Sequence, residues 1–404
     1  YLTCSVFGRK MTQYFHLESR PHFDSYEETV EKTSFLIQDA IKRQMVSDVP
    51  ICTFLSGGVD SSVVSAVCAA ELKKQGKKLT TFSFDFIDND KYFKANSFQP
   101  SQDRPYVDKM VSFLDSDHHY LECDNKMQAD LLYRSVDAHD LPCMADIDSS
   151  LQYFCEEVSH SHKVVLTGEC ADEVFGGYPW FHREEMLNSG TFPWTPSLTP
   201  RKVLLKDDLV ESLHMDEYVK KIYDRSVSEI NVLPSESEIE TNRWRIGYLN
   251  IRFFMQTLLN RMDRTSMFSG LEARVPFADR KLVDYVFNIP WEMKAKDGLV
   301  KNILRQASKG LLPDEILFRR KSPYPKTYNP YYENLLAKRL KEVLSDSASP
   351  LHSLLDLKQV TQFLENPKDY GAPWYGQLMA GPQMIAYLLQ IEYFLRKYNV
   401  SIRI

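Results

Sequence analysis

Apolar positions along the chain follow two spacings, and the switch between them outlines the fold. Val30, Ile37, Ile41 and Met45 recur at helical intervals, and Ser25 with Glu28 has the spacing of a capping box just ahead of them. Four short, nearly continuous apolar runs then read as buried strands: Val49 to Leu55, Leu79 to Asp85, His118 to Cys123 and Val164 to Thr167. Helical patterns separate them, at 63–72 (ending near Gly76), from a cap at Asp103 to Leu114, near 126–138 and at 147–162. Strands that alternate with helices predict a doubly wound α/β unit, with a parallel sheet covered on both faces. Residues 1–23 read as short strands, Thr12 to Leu17 the clearest, and the polar stretch 88–104 reads as a loop. Gly190, Pro193, Pro196 and Pro200 mark a break at Asn188 to Pro200. Beyond it the pattern is mainly helical, at about 203–230, 235–262, 279–287, 297–309 and 329–346, with an apolar helix at roughly 379–398 and no internal repeat.

Composition narrows the function classes. At 404 residues and 43% hydrophobic, the chain can form roughly two to three domains with sizeable cores. A net charge of −6 argues against broad nucleic-acid binding or attachment to an anionic membrane. No apolar run approaches the length of a membrane span, and no secretory signal opens the sequence. Seven cysteines, without a Cys-x-x-Cys pair, fit reduced cytoplasmic thiols better than disulfides or zinc.

The chemistry concentrates in two loops. Phe54-Leu-Ser-Gly-Gly-Val-Asp-Ser-Ser62 joins the first core strand to its helix. A strand, a glycine turn and a helix N-terminus gather free backbone N–H groups and the positive end of a helix dipole. Gly57 and Gly58 permit close backbone approach. Ser56, Ser61 and Ser62 add hydroxyls, and Asp60 can hold a cation, a combination that suits pyrophosphate with Mg²⁺. No lysine follows as in a Walker A loop; the string resembles the pyrophosphate loop of the ATP pyrophosphatases. The bland alternative is a glycine turn with a well-capped helix.

The second loop, Thr167-Gly-Glu-Cys-Ala-Asp-Glu173, puts three carboxylates in five residues after the fourth strand. A helix start tolerates acids for its dipole, but strand ends are also where open α/β sheets bind ligands. Asp172 can share Mg²⁺ with Asp60, and Glu169 can bind a substrate ammonium or handle a proton.

With Ser56–Ser62 and Leu166–Tyr178, the stretches Asp263–Met267, Gly270–Phe277 and Lys301–Arg305 resemble the synthetase domain of the glutamine-hydrolysing asparagine synthetases. The resemblance covers about residues 20 to 330. It implies a sheet of the ATP-pyrophosphatase (adenine nucleotide alpha hydrolase-like) type, followed by a mainly helical region. It assigns Ser56, Gly57, Gly58, Asp60, Ser61 and Ser62 to the phosphates of ATP, and Leu55, Phe84, Thr167 and Gly168 to adenosine. Asp60 and Asp172 become Mg²⁺ ligands, Glu169 the acid of the β-aspartyl-adenylate step and Lys301 the neutralising lysine. The implied activity is that of a ligase that amidates aspartate to asparagine with ATP and ammonia and releases AMP and pyrophosphate. The implied location is the cytoplasm, and a homodimer is possible.

Several roles stay open. Arg274 either is a buried structural partner or lines the cleft. Glu272 is a candidate to orient Lys301. The Arg319-Arg320-Lys321 run reads slightly better as solvated than as phosphate-facing, and His118 and His119 read as structural. Residues 1–22 resemble the tail of a glutaminase domain that is otherwise missing, so 23–187 is expected as the pyrophosphatase core and 188–404 as the helical part. Ammonia would then be free or come from another polypeptide. The rival readings are a β-lactam synthetase-like or other amide-forming adenylating ligase, which Glu169 disfavours, and a catalytically idle nucleotide-binding domain.

Overall fold

The structure is a computed structural model that describes all residues except 96–98, 232, 234–236, 368–372, 375–376, 379–380 and 403–404. Part of the expected 88–104 loop, and the first residues of the helices expected from 235 and 379, lie outside the described residues. The chain opens with an exposed hairpin, β1 (Leu2–Ser5) against β2 (Gly8–Met11). Residues 12–17, expected as the clearest strand, pair with no strand among the described residues; alternation alone does not supply a partner edge. Helix α1 (Tyr26–Gln44) starts at the expected capping box: Glu28 N–H donates to Ser25 Oγ at 3.3 Å, and Ser25 N–H to the Glu28 carboxylate at 2.8 Å.

The sheet then grows outward from its centre. β3 (Ile51–Phe54), α2 (Val59–Lys74), β4 (Thr80–Phe86), α3 (Arg104–Leu114) and β5 (Asp117–Cys123) step to one edge. Two helices, α4 (Asn125–His139) and α5 (Asp146–Ser159), bring the chain back to β6 (Val164–Leu166) on the other side of β3. The order is β5-β4-β3-β6-β7, all neighbours parallel. The last strand, β7 (Glu272–Arg274), arrives about a hundred residues after β6 in sequence. Its Glu-Ala-Arg sequence carries no strand signal; the open edge of β6 recruits it.

Alternation within the strands explains why both faces are covered. Ile51, Val164 and Leu166 bury against Ile37, Ile41, Val63 and Val67 of α1 and α2. Cys52, Phe82 and Val165 bury against Leu151, Phe154 and Val158 of α5 on the opposite face. This is the doubly wound α/β arrangement expected.

The helical half differs from expectation in its breaks. The helix expected over 203–230 is broken into a short helix, Asp207–Leu213, and α6 (Met215–Ser228), split at His214 with φ 45°. The next is longer than expected: α7 (Glu238–Leu249) runs through a π turn at Asn250–Met255 into α8 (Gln256–Phe268). The extra residue of such a turn lets buried Asn250 donate to Glu173 O at 3.1 Å, tying α8 to the second loop. Helices α9 (Arg280–Phe287) and α10 (Asn302–Ala307) follow. Finally α11 (Pro330–Ser345), α12 (Leu357–Glu365) and α13 (Gly381–Lys397) form a second core with α4, through Leu336, Leu340, Val360 and Leu389. No helix of the described residues is long and apolar enough to cross a membrane.

The late segments are tied to the sheet by apolar burial. Phe277, Ile303 and Leu304 lie in the same core as Ile41 and Val63. Phe277 is fully buried, edge-on to Phe175 at 6.1 Å. Phe277→Ala should therefore cost about 3–5 kcal/mol, measured by urea unfolding. A loss below about 1 kcal/mol would contradict this packing.

Candidate active site

The sheet reverses its direction of growth between β3 and β6, which are adjacent. Such a switch point leaves a crevice at the carboxyl ends of the strands, and both suspect loops open into it. Gly57, at φ 68°, turns the chain from β3 into α2. A Cβ there would lie 2.7–2.8 Å from Tyr106 and the Val107 nitrogen. Behind the turn, Ser56 N–H donates to Ser61 Oγ at 3.1 Å, and the two hydroxyls are 3.0 Å apart. Ser62 is buried, and its hydroxyl meets no protein partner. The second loop lies directly on the first turn of α2: a Cβ on Gly168 would be 2.4 Å from Ser61 N. Any side chain at 168 would push the two loops apart.

That contact brings the carboxylates together. Lys301 Nζ lies 2.7 Å from both oxygens of Asp60 and 2.9 Å from Asp172 Oδ1. Lys321 Nζ meets Asp172 Oδ2 at 2.5 Å and sits 3.8 Å over the Tyr178 ring. Lys301 is 2% exposed. It has φ 57°, so the helix expected over 297–309 begins only after it, at Asn302. A non-glycine residue in this region is strained by about 1–3 kcal/mol, and here the strained residue delivers the shared ammonium.

The carboxylates respond differently. Burial pushes Asp172 up, but Lys301 and Lys321 outweigh it and hold the carboxyl well below its ordinary range. Burial wins at Asp60: Lys301 opposes it, Asp172 adds to it, and the carboxyl is raised. Burial lowers Lys301, yet Asp172 and Asp60 more than restore it. Beside them Glu173, buried and accepting from the Tyr178 hydroxyl, is pushed up to about 7 by burial and by Asp172.

The remaining expected residues lie on or beside the two loops and their strands. Glu169 pairs with buried Arg261 of α8. Thr167 is buried, its hydroxyl accepting from Glu169 N–H at 3.4 Å. Phe84 stacks on Tyr324, centroids 6.1 Å apart, and touches Phe154. Leu55 puts its side chain in the core and donates its N–H to Phe82 O at 2.8 Å.

Five readings are corrected or resolved. Glu272 pairs with Arg274 and does not reach Lys301. Arg274 is structural: its guanidinium also donates to Gln44 O at 2.7 Å and Val46 O at 2.6 Å, clasping the end of α1. The Arg319-Arg320-Lys321 run is not simply solvated. Arg320 is exposed, but Arg319 donates to Ser56 O at 3.1 Å and pairs with Asp103 at 2.5 Å, and Lys321 reaches Asp172. Asp103 therefore opens α3 without capping it through its side chain. His118, bonded to Thr81 Oγ1 at 2.7 Å and Ser83 Oγ at 3.0 Å, is structural as read.

Sequence reading missed Arg261 and Tyr324 and underrated Lys321. Arg261 did leave a signal, because it shares the buried stripe of α8 with Leu258, Met262 and Thr265. Tyr324 left none.

A parallel sheet with a glycine turn, two convergent carboxylates, a buried lysine and a half-buried one at its switch point defines an α/β protein with a strand-end site for a polyanion and a cation. The chain belongs to the asparagine synthase family, whose pattern it matches over residues 33–396. It is 48% identical over 403 residues to asparagine synthetase (glutamine-hydrolyzing) 3 of Bacillus subtilis, covering 99% of this chain and 65% of that protein. It is 26% identical to the rat asparagine synthetase (glutamine-hydrolyzing), covering 78% and 48%. It is also 28% identical to the amidase chyE of Penicillium rubens, covering 74% and 52%. The chain thus spans about half to two thirds of the relatives it matches.

Glu173 gives the site a pH signature. Its folded pKa of about 7 lies above the ordinary glutamate value of 4.5, so the folded state holds the extra proton between these values. Its contribution to stability should be fully present below about pH 4.5 and lost as pH rises through about 7. Glu173→Gln should flatten that fall in melting temperature, and parallel profiles for the two proteins would refute the assignment.

Proposed function

We propose that the chain adenylates the side-chain carboxylate of aspartate with ATP and passes the acyl group to ammonia, giving asparagine, AMP and pyrophosphate. One observation carries this reading: Asp60 and Asp172, from two neighbouring strand ends, share the ammonium of Lys301. Family membership and the likeness to the Bacillus synthetase support it.

The residues present fit Mg²⁺. Two carboxylates converge on one point, as the shared Lys301 contacts reveal, and Mg²⁺ typically takes one or two carboxylates and leaves places for phosphate oxygens. Bound by Asp60 and Asp172, it would neutralise charge on the triphosphate. The N–H groups of Gly57, Gly58 and the first turn of α2, with the hydroxyls of Ser56, Ser61 and Ser62, would receive the pyrophosphate part of ATP. Leu55, Phe84, Thr167 and Gly168 would contact adenosine. Lys301 and Lys321 can exchange their carboxylate partners for phosphate oxygens as charge develops at the α-phosphorus. Glu169, steadied by Arg261, would face the acceptor amino acid and its proton traffic.

The carboxylate needs this activation because it has no good leaving group; as a mixed anhydride with AMP it does. Residues 23–187 supply the nucleotide side, and 188–404 supply Lys301, Lys321 and Arg261. Ammonia would be free or released from glutamine by a further domain; the reading includes a homodimer and a cytoplasmic location.

Aspartate, ATP and ammonium should yield asparagine, and labelled pyrophosphate should exchange into ATP only when aspartate is present. Exchange with other carboxylates instead would favour another amide-forming ligase, and none with any would leave a nucleotide-binding domain. Asp60→Asn should lower exchange about 100-fold or more with the circular dichroism spectrum unchanged. Lys301→Ala should reduce turnover more than ATP affinity, and wild-type exchange in either variant would exclude that residue from the mechanism.

A further inference from the structure

Away from the strand-end crevice, the turn between α4 and α5 gathers three metal-ligating side chains. His139 ends α4, Cys143 lies in the turn and Asp148 is in the first turn of α5. One ligand atom from each falls within 4.8 Å of the other two. His139 is 8% exposed and Asp148 fully buried.

The hydrogen bonds fix how these groups face one another. His139 Nδ1 lies 2.8 Å from Ser135 O. A carbonyl oxygen can only accept, so Nδ1 carries a proton, and Nε2 is the ring nitrogen left to bind an ion. That nitrogen meets no protein hydrogen-bond partner and points at Asp148 Oδ2, 3.9 Å away. Asp148 Oδ1 is also buried and without a partner, while Oδ2 accepts from Met144 N–H at 2.5 Å. Imidazole and carboxylate therefore face each other beyond hydrogen-bond distance, with the Cys143 thiol bonded to the same carboxylate.

We infer that His139 Nε2, Cys143 Sγ and Asp148 form a binding site for a divalent transition ion of the zinc type. Nitrogen, thiolate and carboxylate oxygen are the donor set such an ion takes, at about 2.0–2.3 Å. A tetrahedral shell with those bonds spaces its ligands about 3.3–3.8 Å apart, so the three atoms need to close by at most about 1.5 Å. The supporting contacts are in place. Ser135 O orients the imidazole, the Gln390 amide donates to Cys143 Sγ at 3.2 Å, and Met144 N–H steadies the carboxylate. Without the ion, Cys143 stays a thiol, its pKa raised by burial and by Asp148. Binding therefore converts S–H to thiolate and releases that proton to solvent. The ion would staple α4 to α5 where α13 crosses them through Gln390.

The whole chain, dialysed free of metal, is titrated with Co²⁺ and then Zn²⁺. One equivalent of Co²⁺ should give a thiolate-to-cobalt charge-transfer band that Zn²⁺ displaces, which Mg²⁺ ligands without sulfur cannot produce. Cys143→Ser should lose the band. His139→Gln should weaken binding at least about tenfold, and serves alone if the serine variant does not fold. Both should keep pyrophosphate exchange with Mg²⁺. Absence of the band in the natural chain, leaving a plain His139–Asp148 ion pair, would overturn the inference, as would an equal band in Cys143→Ser.

Discussion

One buried ammonium shared by two carboxylates organises the strand-end site. Like charges about 4 Å apart repel by about 4 kcal/mol near a protein surface, and by more in the interior. Asp60 and Asp172 tolerate each other because Lys301 lies between them and Lys321 flanks one. Buried ion pairs are weak contributors to stability, since desolvation consumes most of their attraction. Lys301 also adopts a strained backbone conformation to reach its place. A fold that needed only stability would fill this spot with apolar side chains. The cluster makes physical sense as a charge pattern waiting for a polyanion and its cation.

The rest of the molecule holds that cluster at fixed spacing. The two carboxylates come from loops on adjacent parallel strands, so their separation is set by strand pairing and by the contact of Gly168 with α2. The lysines come from far along the chain. Ile303 and Leu304, just after Lys301, are buried in the core that α1 and α2 form. Apolar burial thus places a charge that would otherwise resist desolvation. Arg319 makes a second tether by reaching the Ser56 carbonyl and Asp103 together. The guanidinium–carboxylate pair of Arg261 and Glu169 ties α8 to the second loop.

The two cores divide this labour. The sheet and its helices fix the strand-end site, whereas α11, α12 and α13 pack mainly on α4. The His139, Cys143 and Asp148 cluster lies where the second core meets the return helices, beside Gln390 of α13. Asp148 also pulls on Arg261, raising the arginine's pKa after Glu169. The two sites are therefore electrostatic neighbours though they use different chemistry.

Local chemistry was enough to read much of this protein. Apolar strands, a capping box and the serine–glycine turn are each written in a few adjacent residues, so the parallel sheet, α1 and the two loops were legible. The pairing of Asp60 with Asp172 was legible too, because strand ends converge by geometry. Long-range placement was not. β7 is a strand only because β6 offers an open edge, and residues 12–17 pair with no strand among the described residues. Lys321 and Arg319 look solvated in sequence, and Glu272 looks like a partner for Lys301, until the fold decides which charges face inward. The sequence by itself determined which groups can carry chemistry; tertiary structure alone decided which of them meet. A charge's partner depends on distance in space, which a one-dimensional pattern does not contain.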